Sequence, residues 1–325
     1  MNRVILVLAI VGLVLISSGC TMPWQDDELE PRDEMRGLVQ SIANTARRTD
    51  ADFIVVPQNG LELLTRDGKP DGDLAKGYVG AIDGVGREDL FYGYSGMDRP
   101  TPVRELEHMS AMLNVSTGQG KPALVTDYCS QQGYVWDSLR WNAERGFLSF
   151  AASSLELDTI PGYPVEPKNV NSKNVTTMAD ARNFLYLINP GAFSDRDDFL
   201  EALRGTRYDV LIIDLFYNGT PLTPQEVASL KVKSGGGTRL VIAYMSIGEA
   251  EDYRYYWNNA WYGGRPEWLK GENPDWDGNY KVEYWNSAWK QIIYKSEDSY
   301  LNRILDAGFD GVYLDQVEAY EHFED

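Results

Sequence analysis

Eight short apolar runs, each closed by polar residues and alternating with stretches of helical periodicity, constrain this 325-residue chain more than any other feature. In chain order, 53–57 ends at Gln58 and Asn59, 78–82 at Asp83, 122–126 at Asp127 and Tyr128, and 147–152 at Ser153 and Ser154. Then 184–188 ends at Asn189, 210–213 at Asp214, 240–245 at Ser246 with Glu249 beyond, and 311–314 at Asp315. Runs of this length without polar alternation suit strands buried on both faces, as in a parallel sheet. Between them Met35, Leu38, Val39, Ile42 and Ala46 mark one helical face, and Phe199, Leu200 and Leu203 another, the latter helix starting at Ser194. Thr223-Pro224-Gln225-Glu226 combines an N-cap, a proline in the first turn and a capping-box glutamate. Eight strands alternating with helices predict a closed (β/α)8 TIM barrel rather than an open doubly wound sheet. The open sheet would carry a glycine-rich phosphate turn, and neither G-x-G-x-x-G nor P-loop spacing occurs, so no nucleotide cofactor is expected. Residues 157–181, with Pro161, Pro164 and Pro167, read as a loop or linker where a domain boundary can sit.

In a barrel of this kind the C-terminal ends of the strands form the functional face, so these polar closures converge on one rim. A single Asp or Asn at a strand end is ordinary turn chemistry, and only the convergence points to a site. Composition narrows what that site can do. Against 30 Lys and Arg stand 49 Asp and Glu, a formal charge of -19, which repels nucleic-acid backbones. His108 and His322 are the only histidines, and Cys20 and Cys129 the only cysteines, which removes most histidine-based catalysis and nearly every His/Cys metal site. Paired carboxylates in an apolar setting suit glycoside hydrolysis, one protonating the leaving oxygen and the other acting as nucleophile or base. Asp83, Asp127, Tyr128, Asp214 and Glu249 are therefore candidate substrate-binding residues on that rim. Such a cluster is also a hard-cation ligand set, though no EF-hand or RTX spacing accompanies it. No cofactor and no metal are expected.

The stretch 253–289 holds six of the nine tryptophans, interleaved with Gly, Asn, Asp and Pro. Aromatic rings on an irregular loop over a barrel mouth suit stacking on sugars, and Tyr284 and Trp285 are candidates for it. About half of these rings would instead form a minicore that pins the loop, and Trp289 belongs to the face of the following helix.

Residues 1–20 have the order of a secretory signal: Arg3, an apolar run over 4–16, then Ser17-Ser18-Gly19-Cys20. Cys20 after small residues resembles a lipobox, which would make it a lipidation site, and 21–32 reads as an acidic tether. The remainder, 33–325, is expected to form one domain on the outer face of a membrane, anchored there or secreted, and monomeric.

The run 239–254, with Gly278-Asn279-Tyr280 and Gly308-Phe309-Asp310-Gly311-Val312-Tyr313-Leu314-Asp315, resembles glycoside hydrolase family 114 type proteins, the endo-α-1,4-polygalactosaminidase-like extracellular TIM barrels. Pro57-Gln58-Asn59-Gly60 and the stretch 84–91 match further blocks of that family. The resemblance implies a hydrolase of α-linked amino-sugar polymers whose catalytic aspartate falls on Asp315 and whose catalytic glutamate falls on Glu88. It adds Asn59 and Tyr244 to Asp214 and Glu249 as substrate-side residues. In the family order the strands ending at Asn189, Asp214, Glu249 and Asp315 come first, whereas here they come last, so the chain resembles a circularly permuted member joined through 157–181. Two functions follow from the resemblance and the fold: a glycosidase on a polysaccharide or oligosaccharide, or a surface lipoprotein that binds carbohydrate without cleaving it.

Overall fold

The structure is a computed structural model that describes residues 29–324. The expected signal segment, Cys20 and most of the expected tether lie outside the described residues. Eight parallel strands carry the fold. They are β1 (Ile54–Pro57), β2 (Val85–Glu88), β3 (Ala123–Tyr128), β4 (Leu148–Ala152), β5 (Phe184–Leu187), β6 (Val210–Asp214), β7 (Leu240–Ser246) and β8 (Gly311–Asp315). Five of them form one sheet in the order β1, β8, β7, β6, β5, and three form another in the order β2, β3, β4. Along the first sheet Ile54 pairs with Gly311, Gly311 with Ile242, Val210 with Leu240 and Phe184 with Val210. Along the second, Val85 pairs with Ala123 and Leu124 with Leu148.

Contacts at both edges link the sheets. A parallel bridge joins Gln58, just past β1, to Gly86 of β2, and Asn59 N donates to Gly86 O at 2.9 Å. At the other edge Phe150 of β4 and Phe184 of β5 pack with ring centroids 5.8 Å apart. Gly86 is required at its position, because a Cβ there would stand 1.9 Å from the Tyr313 hydroxyl reaching over from β8.

The helices are α1 (Pro31–Ala46), α2 (Lys76–Ala81), α3 (Val103–Gly118), α4 (Gln132–Glu144), α5 (Arg196–Gly205), α6 (Pro224–Leu230), α7 (Ser287–Lys290) and α8 (Tyr300–Asp306). Met35, Leu38, Val39, Ile42 and Ala46 are all buried on α1, as their spacing requires. That helix starts at Pro31, inside the stretch read from sequence as tether. The capping box of Thr223 and Glu226 opens α6, whereas α5 is capped by Asp195, one residue beyond Ser194. The segment 157–181 is tied down across the strand starts. Asn171 Nδ2 donates to Asp209 at 3.0 Å, and Lys233 pairs with the same carboxylate at 2.7 Å in full burial.

One expected strand is absent. Residues 78–82 lie in α2 and its exit, and the second strand is 85–88 instead. A five-residue apolar run fits either state, and here Tyr78, Val79, Ala81 and Ile82 bury one face of a short helix. The true strand was missed because it is only four residues long and half polar, Val-Gly-Arg-Glu.

Candidate active site

The strand ends deliver their side chains through tight left-handed turns. After β1, Asn59 has φ of 59° and Gly60 of 51°, and after β8, Gln316 has φ of 59°. Such values are costly for a non-glycine residue and persist where the surroundings impose them. A Cβ on Gly60 would meet Val317 at 3.1 Å, so the turn after β1 nests against the turn after β8. Together they open a cleft of about 450 Å³. Gln58, Glu88, Tyr128, Asp214, Tyr244 and Asp315 line it from the strand ends, and Glu318, Glu251, Tyr253 and Arg254 from the segments that follow.

Glu88 and Asp315 share one donor. Gln58 Nε2 lies 2.6 Å from Glu88 Oε2 and 3.0 Å from Asp315 Oδ1. Asn59 Nδ2 donates to Glu88 Oε2 at 3.2 Å and to Glu318 Oε1 at 3.1 Å, while Asn59 Oδ1 accepts from Glu88 N at 3.3 Å. The Tyr128 hydroxyl donates to Glu88 Oε1, and the Tyr244 hydroxyl to Asp315 Oδ2 at 2.8 Å. Tyr186 and Tyr313 fill the floor with ring centroids 5.1 Å apart. Glu88, Asp315 and Glu318 are thus each held by an amide or phenol on a strand or in the turn that follows it.

The cleft is acidic and short of counter-charge. Glu88, Asp89, Glu156, Asp214, Glu251, Asp315 and Glu318 line it, against Arg254 as the single lining cation. Arg254 is committed, because Nη1 meets Asp214 at 2.7 Å and Nε meets Glu251 at 2.6 Å. Burial, then the Glu318 and Glu88 charges, push the Asp315 carboxyl well above the usual carboxylate range. Burial raises Glu318 too, opposed by its backbone contacts and Asn59. Asp89 is pushed up to about 7 by burial and the neighbouring Glu88. Burial also raises Asp214, against the pull of Arg254.

Several residues expected at the site lie elsewhere. Asp83 precedes β2, so it sits at the opposite end of the strands, where it pairs with Arg47 at 2.7 Å and accepts from Val55 N at 2.8 Å. Asp127 is fully buried behind the wall, accepting from Phe91 N, Tyr92 N, Ser138 and Asn142, so it fixes the loop after β2 and cannot reach a substrate. Glu249 is buried in a small antiparallel sheet and held by Asn273 at 2.8 Å. Tyr284 is buried with its hydroxyl on Pro31 O at 2.7 Å, and Trp285 packs on Phe323. The aromatic segment is largely a minicore, in which Trp257, Trp261, Trp268 and Trp289 form one chain of contacting rings. From it only Tyr253 and Trp276, 61% and 50% exposed, line the cleft.

A second basin of about 440 Å³ opens beside the first, and the two share Ile188, Asn189, Asp214, Tyr253 and Arg254. Its far wall is the hairpin in which Phe216 pairs with Pro221. Among the described residues no three His, Cys, Asp or Glu side chains group as a metal ion would need.

Residues 166–325, which carry Asp214, Tyr244, Asp315 and Glu318, match the model of glycoside-hydrolase family GH114. That region is similar to family GH114. It is 38% identical over 181 residues to an uncharacterized protein of Methanocaldococcus jannaschii, covering 54% of this chain and 49% of that one. An uncharacterized protein of Thermotoga maritima is 40% identical over 116 residues, 36% of this chain and 34% of the relative. One of Deinococcus radiodurans is 39% identical over 126 residues, 38% of each. The chain thus matches at most about half the length of these curated relatives. Glu88, Gln58, Asn59 and Tyr128 lie outside the GH114 match, so the cleft is assembled from both halves of the chain.

Nothing in the sequence singles out Glu318, Arg254 or Glu251. The Asp-x-x-Glu spacing of Asp315 and Glu318 was visible, but the left-handed turn at Gln316 that folds Glu318 back into the cleft was not. From sequence alone Gln58 stands on the rim without a role.

Proposed function

We propose that the protein is a retaining glycoside hydrolase of cationic amino-sugar polysaccharides, with Asp315 as nucleophile and Glu88 as acid and base. The carrying observation is the shared Gln58 amide. Two oxygens touching one nitrogen at 2.6 and 3.0 Å stand at most about 5.6 Å apart, near the ~5–5.5 Å of retaining pairs and below the ~6.5–9.5 Å of inverting ones. That spacing favours direct attack by the second carboxyl over attack by a water held between it and the sugar. In the first step Asp315 attacks the anomeric carbon while Glu88 protonates the leaving oxygen; in the second, Glu88 takes a proton from water, which displaces Asp315.

The charge of the cleft supports the substrate class. Asp315 must be ionised to attack, yet its buried, anionic surroundings favour the neutral acid. An ammonium-bearing sugar brings the missing positive charge and lowers the cost of ionising Asp315 as it binds. Tyr253 and Trp276 offer faces for stacking, and the second basin offers room for a further sugar unit.

The same reading takes the eight parallel strands as a closed (β/α)8 barrel, permuted relative to the family order. In its support, the GH114 match begins at 166, the last strand β8 pairs directly with β1, and Arg32 of α1 meets Glu324 at 2.8 Å. It places the enzyme outside the cytoplasm, with Cys20 as a lipid anchor, acting as a monomer.

The test is sugar release by residues 25–325 from polygalactosamine, its N-acetylated form and uncharged glycans, beside Asp315→Asn and Glu88→Gln. The wild type should prefer the cationic polymer. Each variant should lose about 10²–10⁴-fold, the usual contribution of general acid–base catalysis. Equal release by wild type and both variants would overturn the assignment, and retention of oligosaccharide without any release would favour the binding lipoprotein.

A further inference from the structure

Glu318 is a third carboxyl of the cleft that the two-carboxylate mechanism does not use. It stands three residues beyond Asp315, turned inward by the left-handed Gln316. One of its oxygens accepts from Asn59 Nδ2, and the other, Oε2, is shut from solvent with no hydrogen-bond partner. The same Asn59 amide donates to Glu88 Oε2, so Glu318 and Glu88 are pinned to one nitrogen, as Glu88 and Asp315 are pinned to Gln58. The three carboxyls form a chain: Asp315, Gln58, Glu88, Asn59, Glu318.

We propose that Glu318 is a positioning residue of the reaction centre, which holds the Asn59 amide, and through it Glu88, at the distance from Asp315 that double displacement needs. This rests on the glycosidase reading above. An ionised Glu318 with one oxygen buried and unpaired would be costly, whereas a neutral acid keeps the accepting oxygen that Asn59 requires. The groups that bear on it are few. Glu88 and Arg87 face it from β2, Asn59 from the turn after β1, and Asp315 and Tyr313 from β8. Asp315 in turn faces Tyr128 of β3, Tyr186 of β5 and Tyr244 of β7. Arg87 is the sole cation among them, so as pH rises Glu318 and Asp315 compete to ionise, and a charge on either disfavours a charge on the other.

Two variants separate positioning from mere packing. Glu318→Gln retains an accepting oxygen for Asn59 and removes the titratable charge; the acid limb of kcat should move to lower pH, because Asp315 ionises more readily without a like charge beside it. Glu318→Ala frees Asn59 and Glu88; kcat should fall by up to about 10²-fold with KM changed less than about threefold, as displacement of a catalytic group does. An unmoved acid limb in Glu318→Gln, or an unchanged kcat in Glu318→Ala, overturns the proposal. The titration of Asp315 followed through its ¹³C-labelled carboxyl by NMR needs no turnover. A downward shift in Glu318→Gln there supports the coupling even if no sugar is released, and an unchanged curve rejects it, so the failure of either reading is distinguishable from the other.

Discussion

The Tyr244 hydroxyl stands 2.8 Å from Asp315 Oδ2 and donates to it from the neighbouring strand β7, one of the few contacts that favour the ionised form of a carboxyl otherwise held neutral. Burial and the charges of Glu318 and Glu88 push Asp315 up, and this phenol pulls it down. Tyr244→Phe therefore raises the Asp315 pKa further. A hydrogen bond to a charged group contributes about 1.5–3 kcal/mol, and ~1.36 kcal/mol corresponds to one pH unit. The acid limb of the kcat profile should move up by about one to two pH units. A limb that stays in place would show that Asp315 is not the group ionising.

The shared Gln58 amide carries a prediction for the stereochemical outcome. With the carboxyl oxygens within about 5.6 Å, the proposed mechanism runs through a covalent glycosyl-enzyme on Asp315, and the first-formed product should keep the anomeric configuration of the substrate. Proton NMR of the anomeric region in the first turnovers reads this directly. An inverted first product would mean that the cleft opens to admit a water and that Asp315 acts as base.

Tyr253 borders both basins, with its hydroxyl on Glu251 at 2.6 Å and its ring largely open to solvent. Removing such a face costs a bound sugar on the order of 1–2 kcal/mol of apolar contact. Tyr253→Ala should raise KM about 5–30-fold on oligosaccharides long enough to occupy both basins, with a smaller effect on the shortest cleavable substrate. Kinetics across a length series measures this, and an effect independent of length would place the sugar chain elsewhere.

How much of this was legible in the sequence follows from what each signal encodes. Seven of the eight strands stand within a residue or two of their apolar runs, because a strand buried on both faces has no polar positions to obscure it. The eighth, 85–88, has its two apolar residues at the start and its charged ones at the rim, so the catalytic candidate Glu88 came from family resemblance alone. Taking 78–82 for a strand carried Asp83 to the wrong end of the fold, since Asp at the close of an apolar run marks either a strand exit or a helix exit. Asp127 shows a different limit: it lies in β3 one position out of phase with Tyr128, so it points into the wall while Tyr128 faces the cleft, and Glu249 is taken out of the cleft by the antiparallel sheet in which Asn273 holds it. The aromatic stretch gave number without direction. Rings that stack on each other and rings that face solvent have the same composition, and only contacts such as Trp261 with Trp268 separate them.

The crowding of acids also sets how stability responds to pH. Asp89 lies beside Glu88 at φ of 60°, its Oδ1 buried without a partner, and its carboxyl is pushed up to about 7 by burial first and by Glu88 second. In the unfolded chain the same group ionises near ~3.9. Between those values the folded protein binds the extra proton, so stability falls as pH rises through the window and the loss is complete above about 7. Asn retains the shape and tolerates the left-handed backbone, and it has no charge to bury. Asp89→Asn should then stabilise the protein at pH 8 by on the order of 1–2 kcal/mol, the open cleft screening part of the full effect, and leave it unchanged at pH 4. Urea unfolding of both proteins at the two pH values measures the difference. A gain of equal size at pH 4 would place its origin in packing, and no gain at pH 8 would mean that Asp89 is already charged and solvated in the folded protein.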